Sequence, residues 1–217
     1  MQLNPYIYTN MNFNRYLSCH NSFLPLDLHS HLLSLAKTSE YRLERQSKDK
    51  HYSHVFYSTS NVIASPQEVY SAKFYVNKSD HLRQQVAAEF LPHAVDLLKK
   101  HDTSLRYFQE PQIHKLECGC YYRAHVDDYA GKWGYTYFLN EGWMWDFGGI
   151  LRFYDEATYD SYSIFPHDNT LLLRDESKKL FHDVSVIGDH TANCQYLILG
   201  WASDRIPENP KYKYIQA

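Results

Sequence analysis

The chain has 217 residues, 44% of them hydrophobic, and a formal net charge of −3. That length supplies one sizeable core, so a single domain over residues 1–217 is the simplest organisation, and the charge balance, with no dense Lys/Arg block, excludes a nucleic-acid partner held by electrostatics. No stretch approaches the roughly 18 consecutive apolar residues of a membrane span. The start, "MQLNPYIYTNMNFNRY", lacks a cationic segment leading into an apolar core, so the expected location is cytoplasmic.

In chain order, residues 27–36, "DLHSHLLSLA", carry Leu28, Leu32 and Leu35 at helical spacing. Residues 38–60 are polar and read as loop. Residues 80–101 form a second helical pattern with Leu82, Val86, Phe90, Leu91, Val95 and Leu98 on one face, capped by Ser79 or Asp80. Pro92 lies inside that pattern and is expected to kink it about one turn earlier. Residues 1–110 therefore read as a helical support region.

From residue 111 to 217 the period changes to that of strands, expected at 112–118, 121–126, 134–140, 149–154, 161–165, 169–174, 182–187 and 194–201. Gly119, Gly131, Gly142, the Gly148-Gly149 pair, Pro166 and Gly188 punctuate them. Eight short strands at regular spacing predict a mainly β fold, a sandwich or jelly roll, with the preceding helices packed on one sheet. The 20 Tyr and 11 Phe suit such strands. Four cysteines, two of them in "ECGC", read as free thiols.

Within "YYRAHVDDYAGKWGYTYFLNEGW", His125 and Asp127 stand two residues apart in an aromatic strand. Desolvating an imidazole beside a carboxylate is costly unless something pairs with both, and a metal ion does that. His182, opening "HDVSVI", is the best third ligand, with His114, His167 and His190 as alternatives. Two imidazoles and one carboxylate leave open positions on the metal, the arrangement of non-haem Fe(II) oxygenases.

From Ile113 to Trp201 the chain resembles the prolyl-4-hydroxylase-like branch of the Fe(II)/2-oxoglutarate oxygenases. "KLECGCYYRAHVD" is similar to that family's Y-x-x-G-x-x-Y-x-x-H-x-D at Gly119, Tyr122, His125 and Asp127. "TYFLNEGW", "DFGGILRFYDE", "IFPHDNTLLLR" with "HDVSVI", and "YLILGW" resemble its later strands in the same order. The resemblance implies a double-stranded β-helix, cupin-like, with Fe(II) on His125, Asp127 and His182. It also implies 2-oxoglutarate as co-substrate, O2, release of succinate and CO2, and ascorbate as an accessory reductant. The substrate class it leaves open is a small molecule, an amino acid or a prolyl or peptidyl group; the oligomeric state is unspecified.

One position departs from the family. An Arg or Lys six residues before the closing Trp holds the far carboxylate of 2-oxoglutarate; here that register carries Gln195, followed by Leu197. Arg174, eight residues before His182, is the candidate replacement, supported by Tyr137 and Gln195; a slipped register would instead bring Thr191 or Asn193 to the site. Tyr122 is expected to face the iron-proximal cavity and Leu151 to line its wall. Arg123 shares strand parity with His125 and is a candidate substrate contact, Arg152 should face away, and Trp133, Trp143 and Trp145 read as packing residues. A cupin-like metalloprotein that does not use 2-oxoglutarate, such as a lyase, isomerase or binding protein, is the competing reading.

Overall fold

The computed structural model describes residues 12–48, 70–127, 131–154, 161–178, 180–206 and 213–217. The segment "DEATYDSY", residues 155–162, which reads as a solvated loop, lies mostly outside them. Strands β1 (Leu17–Asn21), β2 (Tyr41–Lys48) and β3 (Tyr70–Asn77) belong to the first 110 residues, with helix α1 (Leu26–Thr38) between β1 and β2. The support region is thus part strand. Residues 41–48, read as loop, pair along their whole length with β3, while residues 49–60 of that expected loop are outside the described residues.

The second helical pattern divides into α2 (Asp80–Gln85), a π-turn at Val86–Phe90 and α3 (Leu91–His101). Ser79 caps α2, its hydroxyl accepting from Leu82 N at 3.3 Å. The π-turn ends two residues before Pro92, whose ring clashes with a carbonyl one turn back and whose nitrogen donates nothing. The kink expected from the sequence takes this form.

The remaining strands are β4 (Tyr107–Gln109), β5 (Gln112–Leu116), β6 (Tyr121–His125), β7 (Trp133–Phe138), β8 (Leu151–Tyr154), β9 (Ser161–Ile164), β10 (Thr170–Asp175), β11 (Phe181–Val184), β12 (Gln195–Ser203) and β13 (Tyr214–Gln216). All eight strands expected after residue 110 are present. Pairing is antiparallel in the order β1-β10-β7-β12-β5-β3-β6-β11-β8-β9, and the sheet curls into the half-barrel of a double-stranded β-helix.

Alternation along the strands sorts side chains into two cores. On the outer face Tyr135, Tyr137, Leu171, Leu173 and Ile198 pack against Leu32, Phe90, Leu91 and Leu98 of the helices. On the inner face Leu116, Phe138, Phe153, Leu172, Val184 and Leu197 form the barrel interior. The helices thus cover one side of the large sheet and leave the other to the site.

Candidate metal centre

His125 ends β6 and His182 sits in β11 directly opposite it. The ring centroids are 4.3 Å apart. Between this pair and the next, Val184 with Tyr122, the register shifts by one residue on β6. That bulge turns Tyr122 and His125 inward together, although three residues apart on a regular strand would place them on opposite faces. Asp127 follows β6, with Oδ1 3.6 Å from His125 Nε2 and Oδ2 3.5 Å from His182 Nε2. Ligand atoms of the three residues lie within 4.8 Å of one another, and among the described residues they form the group placed to hold a metal ion.

Each imidazole is oriented by the main chain. His125 Nδ1 lies 2.7 Å from Arg123 O and His182 Nδ1 lies 3.1 Å from Leu180 O. A carbonyl only accepts, so both Nδ1 atoms carry the proton and both Nε2 lone pairs face Asp127, as metal-ligating histidines require. Burial, aided by His125 and Arg174, pulls His182 down to about 3, so it is neutral at physiological pH. Burial also opposes charge on Asp127, but His182, His125 and Arg174 more than offset this and hold its carboxyl well below the usual carboxylate range. Two imidazole nitrogens and one ionised oxygen suit a divalent first-row metal.

Arg174 points inward from β10. Its Nη1 is 3.1 Å from His182 Nε2, and its Nη2 is 3.2 Å from Asp127 Oδ2 and 3.0 Å from Glu176 Oε1. It is the only buried Lys or Arg among the described residues. Gly134 of β7 faces Arg174 across the ladder, and a Cβ there would stand 3.0 Å from Nη2 and 2.2 Å from Glu176 Oε1. Glycine is what lets the guanidinium lie flat on the sheet. Nε of Arg174 is buried and has no hydrogen-bond partner, a donor left over for an incoming acceptor.

The other expected residues separate into two groups. Tyr122 and Leu151 face the interior: the Tyr122 ring is 6.3 Å from that of His125, and Leu151 is buried against Val184 and Ile164. The Tyr122 hydroxyl is committed to His114 Nδ1 at 2.7 Å. His114 is thereby a partner of Tyr122 rather than a ligand, and burial holds it neutral, down to about 3. His167 and His190 are exposed, and Arg123 also faces outward, over the Tyr121 ring.

Tyr137, Gln195 and Arg174 do not converge, which corrects the expectation for the carboxylate anchor. Tyr137 is on the outer face, its hydroxyl 2.6 Å from His29 Nδ1 and 2.9 Å from Asn169 Oδ1. Strand parity puts Gly134, Thr136 and Phe138 inside instead. Gln195 does face inward, with Nε2 donating to Gly149 O at 3.1 Å. It lies six residues along β12 from Trp201, roughly 20 Å of extended chain, and Trp201 pairs with Gly134 in the row that holds Arg174. Thr191 and Asn193 lie in the loop that precedes β12 and do not join Arg174 either. Glu176 was missed altogether: "DESKK" reads as a charged surface turn, yet the Glu176 side chain is 8% exposed.

A half-barrel that brings two histidines and an aspartate within 4.8 Å of one another carries the donor set of non-haem metal sites. Comparison with known proteins narrows it. Residues 111–203 match the model of the 2OG-Fe(II) oxygenase superfamily. The fold is similar to a Pseudomonas putida prolyl-4-hydroxylase (18% identity, TM-score 0.56, covering 90% of this chain and 96% of that one). It is also similar to a Trichoplax adhaerens prolyl hydroxylase solved with a hypoxia inducible factor peptide fragment (16%, 0.62, 87% and 84%). A third likeness is to a 2OG-Fe(II) oxygenase family oxidoreductase from Burkholderia pseudomallei (11%, 0.62, 91% and 89%). No curated protein matches the chain. The match to the 2OG-Fe(II) oxygenase superfamily thus lies in residues 111–203, the segment that carries His125, Asp127 and His182, and the fold is shared with solved oxygenases.

Proposed function

We propose that His125, Asp127 and His182 hold Fe(II) and that Arg174 receives a carboxylate of 2-oxoglutarate, in a single-domain, cytoplasmic hydroxylase. The observation that carries this reading is the convergence of the His125 and His182 Nε2 atoms, one ionised carboxylate and the only buried guanidinium among the described residues. When bound, iron and 2-oxoglutarate supply the activation of O2 for attack on a C–H bond, with succinate and CO2 released. The chain's own residues do the rest. The Arg123 and Leu180 carbonyls fix the two imidazoles, and Arg174 keeps Asp127 ionised. Leu151, Phe153, Val184 and Leu199 line the interior with apolar surface, which excludes water from the reaction. Tyr122, its hydroxyl tied to His114, presents its ring to the His125 side of the metal.

The substrate class is a small molecule, an amino acid or a prolyl peptide. The peptide held by the Trichoplax relative is the reason to try a prolyl peptide first. Ascorbate is proposed as the reductant that sustains turnover. Among the described residues no helix is long and apolar enough to cross a membrane. The test is succinate production from 2-oxoglutarate with and without O2 and with a panel of peptides and metabolites, in the wild type and in His182→Ala. Succinate that requires O2 and His182 supports the reading. Metal binding without 2-oxoglutarate turnover favours the cupin-like alternative, which uses no co-substrate.

A further inference from the structure

Arg174 faces two carboxylates in the same buried space. Asp127 is assigned to the metal; Glu176 is not a ligand and has no other evident task. Its Oε1 lies 3.0 Å from Arg174 Nη2, and it is placed over Gly134, where a Cβ would be 2.2 Å away. The guanidinium offers a carboxylate one side-on edge, Nε with Nη2, which is the geometry of the strong bidentate pair. On this edge Nε has no hydrogen-bond partner, and Nη2, which donates to Asp127 Oδ2 at 3.2 Å, also stands 3.0 Å from Glu176 Oε1 as an ion pair. The end-on nitrogen, Nη1, is turned to His182. A carboxylate that forks onto Arg174 must therefore come in over Gly134 and take Nη2 from Glu176.

We propose that Glu176 is a positioning residue that acts through Arg174, an internal carboxylate that competes with 2-oxoglutarate for the guanidinium edge and so sets the affinity for co-substrate. This rests on the assignment of Arg174 as the cation for 2-oxoglutarate. Glu176 also has a benefit: it balances the guanidinium when no co-substrate carboxylate is there, and it keeps Arg174 from closing wholly onto Asp127. The cost is weaker co-substrate binding. Burial and the charge on Asp127 favour the neutral carboxyl, while Arg174 and, more weakly, the Trp201 indole favour the ionised one.

The experiment measures dissociation constants for 2-oxoglutarate and for 2-oxopentanoate, which lacks the second carboxylate, by anaerobic titration of Fe(II)-loaded protein. Wild type, Glu176→Gln, Glu176→Asp and Arg174→Gln are compared. Glu176→Gln is expected to bind 2-oxoglutarate at least fivefold more tightly at pH 8, with 2-oxopentanoate unchanged within twofold. Glu176→Asp, whose carboxylate is drawn back by one methylene, is expected to fall between. A general loosening of the fold would not tighten binding of one ligand selectively. If wild type binds 2-oxoglutarate, Arg174→Gln weakens it, and Glu176→Gln does not tighten it, the competition is refuted while the role of Arg174 stands. If Arg174→Gln leaves the 2-oxoglutarate constant unchanged, both assignments fall.

Discussion

Replacing Arg174 by Gln tests how much of the site depends on one buried cation. The guanidinium makes three polar contacts between 3.0 and 3.2 Å, and its side chain is 7% exposed. Removing it leaves Asp127 and Glu176 facing each other without a counter-charge, and breaking a buried ion pair from one side costs about 3–5 kcal/mol. For a chain of this length that lowers Tm by roughly 6–20 °C. Loss of a charge-assisted hydrogen bond, about 1.5–3 kcal/mol, should weaken 2-oxoglutarate binding by roughly 10- to 150-fold. Thermal unfolding followed by circular dichroism gives the first quantity and anaerobic titration of the Fe(II)-loaded protein the second. Arg174→Gln with Glu176→Gln should recover much of the Tm, because one buried charge leaves with the other, yet still bind 2-oxoglutarate weakly. A single variant with wild-type Tm would refute the buried-pair reasoning, and one with wild-type affinity would remove Arg174 from the co-substrate site.

Three further outcomes follow from the geometry. Burial pushes Glu176 up to about 7 from its ordinary 4.5, with Arg174 pulling the other way and Asp127 adding repulsion. A carboxyl raised in the folded state contributes stability that is fully present below about pH 4.5 and is lost as pH rises through about 7, a difference of about 3 kcal/mol. Urea midpoints measured with chelator between pH 5 and 8 should fall in wild type and stay flatter in Glu176→Gln; parallel slopes would contradict this. Gly134→Ala, whose methyl would intrude on Glu176 and Arg174, should raise the dissociation constant for 2-oxoglutarate tenfold or more, and an unchanged constant would show that the pair has room to move. Tyr137→Phe should leave that constant alone and destabilise the fold by about 1–3 kcal/mol, because His29 and Asn169 lose a buried partner; a changed constant would put Tyr137 back in the site.

Much of this was legible in the sequence where a local rule has one physical solution. The turn glycines and Pro166 bound the eight strands of the second half closely, and Ser79 and Pro92 announced a cap and a distortion that the structure shows. His125 and Asp127 stood out because their cost in an aromatic strand demands compensation. Elsewhere the signal was degenerate. In "WGYTYF" both faces of β7 are buried, so alternation does not tell inside from outside, and Tyr137 rather than Phe138 was assigned to the interior. β2, "YRLERQSK", is polar and pairs, among the described residues, with β3 alone, as an edge strand does, and such a strand reads as loop. Glu176 was hidden by its company: acidic residues in a turn next to lysines are ordinarily solvated, and only the tertiary position of Arg174 draws this one inside.

The strand β3 touches both layers of the barrel. Tyr75 and Val76 pair with β5 in the large sheet, whereas Ala72 and Lys73 pair with β6, which carries His125. The segment that matches the superfamily begins at residue 111 and so omits this crossbeam. A fragment cut to those bounds would keep His125, Asp127 and His182 yet leave β6, among the described residues, paired with β11 alone, so truncation to the recognisable half should yield a chain that has the three side chains and no scaffold to hold them at fixed separation.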